Sequence, residues 1–156
     1  MKTKYNKLQI VLEIIGAIIL MAFVIFLISS WSGISEKIPA HYNMSGEVDR
    51  WGSKNEILIL PIIGGILYVG LTALTFIPKI WYVPTAKNEE SKEAVYICIK
   101  TMVIILKAEL IGTFFYIAYY SVNSQGLPIM FLPTELLVIF GTVIYFTVKS
   151  YKLSKQ

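Results

Sequence analysis

The residues best suited to chemistry are gathered in one short polar segment, Ile38-Pro39-Ala40-His41-Tyr42-Asn43-Met44-Ser45-Gly46-Glu47-Val48-Asp49-Arg50-Trp51-Gly52-Ser53-Lys54. It holds the sole histidine, aspartate and arginine of the chain. His41, Glu47 and Asp49 offer metal-ligand chemistry, but three such groups suit zinc only with a fourth ligand or a water. No second histidine and no H-E-x-x-H pattern accompanies them. His41 could also act as a protonation switch, or simply hydrogen-bond to Asp49. His41, Asn43, Asp49, Arg50, Trp51 and Lys54 together would make a recognition surface. The blander alternative is a solvated loop whose polar residues only turn and cap the chain. No G-x-S-x-G, Walker or G-x-G-x-x-G pattern is present, so neither a catalytic residue nor a cofactor is expected. Asn43-Met44-Ser45 fits a glycosylation sequon, a tripeptide that recurs by chance.

A second set of chemically interesting residues lies inside apolar runs: Glu13, Lys100, Lys107, Glu109 and Glu135. A charge at mid-bilayer costs at least ~2.5–3.5 kcal/mol unless it is paired or hydrated. Glu13 and Lys100 each lie about 9 Å into their runs at 1.5 Å per residue, so they could pair. Lys100 could equally reach the interface along its own stem. Lys107 is deeper and shares a helix face with Lys100. Glu109 lies about 200° around the helix from Lys107, which makes it a poor partner within one helix. Glu135, or Glu109 of another subunit in a homo-oligomer, is the expected acid for Lys107. The functional alternative is a polar seam inside the bundle, serving a ligand, a proton or a conformational change.

The elements that must position these groups follow from composition. Hydrophobic residues make up 56% of the 156 and charged residues only 15%, outside the range of soluble domains. Four runs, 8–30, 57–77, 95–120 and 129–148, each supply about the 20 residues needed to cross hydrocarbon. The expected fold is all-α: one domain over 1–156, a polytopic membrane protein of four transmembrane helices. Residues 31–56 form a structured outer loop between helices 1 and 2. Ser45-Gly46 and Trp51-Gly52 supply its turns, with Val48 and Trp51 toward the membrane. Lys2, Lys4 and Lys7 precede the first run, Lys79, Lys87 and Lys92 lie between the second and third, and Lys149, Lys152 and Lys155 follow the fourth. In the outer loop Lys37, Arg50 and Lys54 are balanced by Glu36, Glu47 and Asp49, and 121–127 carries no charge. The positive-inside rule puts both termini and the middle loop in the cytoplasm. The same placement of charge speaks for a bilayer and against nucleic acid as the partner. The first apolar run is too long for a signal-peptide core and has no A-x-A-like site after it, so it is read as an uncleaved helix.

Local punctuation completes the expectation. Pro61 should kink or loosen the start of the second helix. Gly64, Gly65 and Gly70 offer a close packing face. Trp81 and Tyr82 anchor the middle loop at the interface, and Asn88 or Ser91 caps the third helix. Tyr116, Tyr119 and Tyr120 form an aromatic belt at its far end. The fourth helix starts either near Pro128 with a bend at Pro133, or at Pro133, and then extends past Lys149. Cys98, the single cysteine, reads as a small buried hydrophobe.

The pattern Ile38-Pro39-x-His41-Tyr42-Asn43-x-x-Gly46-x-x-Asp49-Arg50-Trp51-Gly52-Ser53-Lys54, set just after a first transmembrane helix, resembles the N-terminal domain of SdpI-type bacterial immunity proteins. The resemblance covers this segment and the flanking spans. It implies a bacterial cytoplasmic-membrane protein that recognises a ligand at its external face. From the best-known member of that family it further implies protection against a secreted toxic peptide, with capture of a cytoplasmic regulator at the membrane. Longer members carry additional helices, where this chain is expected to have four. The competing readings are a small transporter or transporter accessory subunit, which would use the polar seam, and a membrane metalloenzyme.

Overall fold

The structure is a computed structural model that describes residues 4–78, 81 and 83–156. Lys2, Lys79 and Tyr82, which entered the charge and interface arguments, lie outside the described residues. Four α-helices and one hairpin follow in the order α1 (Lys7–Ser30), β1 (Lys37–Tyr42), β2 (Val48–Ser53), α2 (Ile59–Thr75), α3 (Glu89–Val122) and α4 (Phe131–Ser154). Short 3₁₀ turns, Trp31–Gly33 and Lys54–Leu58, connect α1 and α2 to the hairpin. The segments Lys7–Gly33, Lys54–Thr75 and Phe131–Ser154 are long and apolar enough to cross a membrane. Helix α3 is longer, at 34 residues, and carries more charge.

The helix boundaries obey local chemistry. Asn6 caps α1, its side chain accepting from the Gln9 amide while Gln9 reaches back to the Asn6 amide. Asn88 caps α3, its Oδ1 accepting from both the amide and the hydroxyl of Ser91. That cap starts α3 six residues before the apolar run. Pro61 is the third residue of α2 and Pro133 the third of α4. Both fall in a first turn, where no N–H partner is required. This is why Pro61 starts a helix instead of kinking one, and why α4 begins between the two starts the sequence suggested.

Helix α3 is the hub. It packs against α1, α2 and α4, whereas α4 packs mainly on α3. Gly16 of α1 brings Tyr68 and Ala108 close, and Gly64 of α2 admits Phe114. A Cβ at Gly65 or Gly70 would meet nothing within 4 Å among the described residues, so there only Gly64 of the three expected packing glycines serves a close approach. The buried core, Phe23, Leu27, Ile34, Ile38, Ile57 and Ala118, lies at the hairpin end, with Phe26, Phe114 and Phe115 against it. Phe115 stacks on Phe23 at 5.2 Å between ring centres. Most remaining apolar side chains of α1, α2 and α4 face outward, including Ile18, Ile28, Ile66, Leu137 and Ile144. Such faces suit lipid, where every backbone group must be paired within a helix.

The hairpin is joined to the bundle rather than hung from it. Gly46 has φ 83°, and its carbonyl accepts from the Leu127 amide at 2.8 Å in the α3–α4 connection. A Cβ at Gly46 would overlap the Leu127 carbonyl. Gly46→Ala should therefore lower stability by about 1–3 kcal/mol, from a left-handed backbone plus a lost contact. Gly33→Ala, which meets nothing, serves as the silent control. Thermal unfolding of both variants in detergent checks this; equal melting would refute the joint.

Candidate functional site

The outer segment forms an antiparallel hairpin with an irregular register. Lys37 pairs with Ser53, Ile38 with Gly52, Pro39 with Trp51, His41 with Arg50 and Tyr42 with Val48. Register shifts on either side of His41 leave Ala40 and Asp49 without direct partners. Such bulges re-aim side chains. His41 Nδ1 and Asp49 Oδ1 come to 2.6 Å, both exposed. Asn43 builds the turn: its Oδ1 accepts from the Ser45 and Glu47 amides, and its Nδ2 donates to Glu47 at 2.8 Å. Arg50 donates to Glu56 at 2.9 Å and to the Ala40 carbonyl. Glu56 also accepts from the Ser53 amide, and a Cβ at Gly52 would collide with its carboxylate. Lys54 donates to Glu36 at 2.7 Å and lies over the Trp31 ring.

Most of the motif is therefore spent on the shape of the hairpin. Of the six expected recognition residues, His41, Asn43, Asp49, Arg50 and Lys54 have partners inside the segment. Trp51 is half exposed at 52%, and Met44, not among the six, is 85% exposed. Glu47 is drawn to Asn43, and no three His, Cys, Asp or Glu side chains converge among the described residues. The weak metal candidates His41, Glu47 and Asp49 thus do not assemble into a site there.

Tyr42 fixes the hairpin to α3. Its hydroxyl lies 3.0 Å from Ser121 Oγ and donates to the Gln125 carbonyl at 3.2 Å. Burial pushes this hydroxyl above its ordinary value of 10.0, with the Ser121 contact pulling the other way, so it stays a donor at neutral pH. Between the hairpin, α3 and the start of α4 opens a groove of about 640 Å³. Its floor is Ile117, Leu127, Phe131 and Leu132, and its edge is His41, Asn43 and Met44. A smaller cavity of about 270 Å³ lies between the hairpin and α2, lined by Ile38, Tyr42, Arg50 and Glu56 among others. The sequence pointed to the polar edge; the apolar floor was hidden inside two runs read as spans.

The charges within the apolar runs pair differently from expectation. Lys107 is 1% exposed and donates to Glu13 of α1 at 2.5 Å and to Thr72 of α2 at 2.6 Å. Its ammonium lies 4.2 Å from the Tyr68 ring centre, a favourable cation–π placement. The acid is thus Glu13, neither Glu109 nor Glu135, and no second subunit is needed to supply it. Lys100, also buried, lies 4.3 Å from the Tyr5 ring centre. Tyr5 in turn contacts Thr75 and Glu13, and Gln9 donates to the Ile97 carbonyl and Thr101. A polar seam does exist, between α1, α2 and α3. Glu109 and Glu135 lie on the opposite side of α3, toward α4. Glu109 accepts from Thr142 at 2.6 Å and Glu135 from Thr113 at 2.9 Å. The second oxygen of Glu109 is buried without a partner among the described residues.

With this geometry in place, comparison with known proteins adds a coarse identity. The family model described as Domain of unknown function (DUF1648) matches residues 17–65, which span the later part of α1, the hairpin and the start of α2. An uncharacterized protein of Archaeoglobus fulgidus is 25% identical over 146 residues, covering 81% of this chain and 79% of that relative. No solved structure matches. The apolar helices are compatible with a multi-pass membrane protein carrying this domain.

Removing the Lys107 ammonium should strand Glu13. Lys107→Met is expected to lower stability by about 3–5 kcal/mol, the cost of leaving one member of a buried pair alone. Adding Glu13→Gln should recover most of that loss, while adding Glu109→Gln or Glu135→Gln should recover none. Melting temperatures of the single and double variants in detergent decide it; recovery by either of the last two would reassign the pair.

Proposed function

We propose that the chain is a bacterial cytoplasmic-membrane protein that recognises an amphipathic peptide at its external face, in the manner of an immunity or sensing protein. The observation that carries this reading is the groove of about 640 Å³ between the hairpin, α3 and α4, apolar on its floor and polar on its edge. Pockets of this size and make-up are the usual seats of ligands. The SdpI-type pattern of the hairpin supports the same role. In this reading α3 is the fourth span. At 1.5 Å per residue its 34 residues are long enough for the ~30 Å of hydrocarbon. The charges deep in it, Lys107 and Glu109, are turned to α1, α2 and α4 rather than to lipid.

The lysine excess orients the protein. Lys4, Lys7, Lys87, Lys92, Lys149, Lys152 and Lys155 gather at the end where the Lys87 amide bonds the Ser154 carbonyl, which the positive-inside rule assigns to the cytoplasm. Cysteine placed at Ser45 or Asn123 should react with an impermeant maleimide in intact cells, and cysteine at Lys87 or Ser154 should not. Labelling at Lys87 from outside would invert the topology. A transporter reading is weaker. A pathway continuing the seam outward would have to cross the apolar cluster of Phe23, Leu27, Phe115 and Ala118.

Recognition itself is tested by photocrosslinking. An amphipathic Leu/Lys peptide carrying photoleucine, added to the purified protein in maltoside micelles, should crosslink within Leu127–Leu132. Ile117→Trp, which fills the groove from α3, should cut that yield about tenfold. Leu132→Trp does so from α4 and guards against a folding defect in the first variant. Crosslinks scattered over the lipid-facing sides of α1 and α2, unchanged by either variant, would defeat the reading.

A further inference from the structure

Beside the main groove lies a second cavity of about 270 Å³, lined by Tyr116, Pro128, Met130, Phe131, Thr134 and Glu135. Pro128 and Phe131 line both cavities, so they form a shared wall. The chemistry of the small cavity differs from that of its neighbour. Glu135 brings a carboxylate whose described hydrogen bond comes from the neutral Thr113 hydroxyl. No Lys, Arg or His pairs with it among the described residues. Tyr116 and Phe131 stack nearly parallel, 5.0 Å apart and 4° between planes, and Tyr120 leans on Tyr116 at 4.8 Å. A carboxylate with no cationic partner at a cavity wall is an arrangement that recognises an ammonium group by ion pairing, with the stacked rings as the apolar wall beside it. Glu135 lies just past the first turn of α4, where the partial positive charge of the helix start offsets only part of its full negative charge.

We propose that this cavity takes the amine of a cationic amphipathic peptide whose apolar side chains fill the adjoining groove. This rests on the external-groove reading above and names the class of ligand for it. Charge complementarity extends along the groove edge. His41 and Asn43, which line the groove, are bonded to the carboxylates of Asp49 and Glu47, so two further acids stand one residue behind its lining. A lysine side chain or an N-terminal amine one turn from a leucine on the same peptide face would span the shared wall of Pro128 and Phe131.

The test compares two photoleucine peptides in maltoside micelles, which carry no cationic headgroup: a Leu/Lys peptide and the same peptide with every lysine and the N-terminal amine acetylated. The cationic peptide should crosslink to 127–132 at least tenfold more efficiently. Glu135→Gln, which keeps an acceptor for Thr113, should erase that preference by lowering the cationic yield to the neutral level. Tyr116→Leu should reduce it in part, and melting temperatures near the parent protein's would show both variants folded. If neither peptide crosslinks to 127–132, the groove reading itself fails. Equal crosslinking of both peptides, or a preference that survives both Glu135→Gln and Tyr116→Leu, would leave the groove reading standing and overturn the ammonium site.

Discussion

The fold depends on one buried charge having an answer. With α3 as the proposed fourth span, Lys107 could not face hydrocarbon unpaired, and at 1% exposure it reaches no solvent. Glu13 supplies the opposite charge from α1, Thr72 an oxygen from α2 and Tyr68 a ring face. One ammonium on α3 thus gathers groups from two other helices. Hydrophobic transfer does little to drive helices together inside a bilayer, because lipid tails are as apolar as leucine. Polar contacts and close packing must fix the arrangement. The seam does this near the start of α1, with Gln9 on the Ile97 carbonyl and Thr101 setting the register of α1 against α3. At the other end, stacked phenylalanines and the underside of the hairpin take over.

The hairpin shows how a polar motif can be dense without being a ready-made site. Asn43 and Gly46 make the turn, Arg50 and Glu56 tie β2 to the start of α2, and Gly52 leaves room for that carboxylate. These residue types are dictated by backbone geometry as much as by any ligand. What remains available is His41 and the exposed Met44 at the edge of an apolar groove, with Trp51 half exposed elsewhere on the hairpin. Binding capacity therefore arises where the hairpin meets α3 and α4. The bonds from Tyr42 to Ser121 and Gln125, and from Leu127 to Gly46, hold the two sides of that groove at a fixed spacing.

Much of this was legible in residue order. Hydropathy marks the spans, Ser45-Gly46 the turn, His41 and Asp49 their own contact, and Asn88 the cap of α3. The partner of Lys107 was not legible, for a geometric reason. Counting residues into each apolar run assumes that the runs begin at equal depth, yet α3 starts at Glu89, six residues before its run. Gln9 sits beside Ile97 and Thr101, so Glu13 is level with about residue 103 and Lys107 starts about 6 Å above it. A helical side chain leans back toward its own N-terminus, and a lysine is long enough to close that gap. The groove floor was hidden for another reason. Ile117, Phe131 and Leu132 have the same apolar character whether they face lipid or a cavity, and hydropathy does not separate the two.

The angle between Lys107 and Glu109 carries the remaining logic of the architecture. Two residues apart on a helix, they point to opposite sides. A helix with one charged face could lie at the rim of a bundle, its polar face inward and its apolar face in lipid. One with charges on both faces cannot, because either orientation exposes an ion to hydrocarbon. As the proposed fourth span, helix α3 must therefore be covered on two sides. Helices α1 and α2 cover Lys107, and α4 covers Glu109 through Thr142. This accounts for the lopsided packing, in which α4 leans on α3 while its outer face, with Leu137, Phe140 and Ile144, stays apolar and open. The central place of α3 follows from the chemistry of two of its side chains, and the groove inherits its walls from the same constraint. Docking α4 on α3 to shelter Glu109 also brings Phe131 and Leu132 beneath the hairpin.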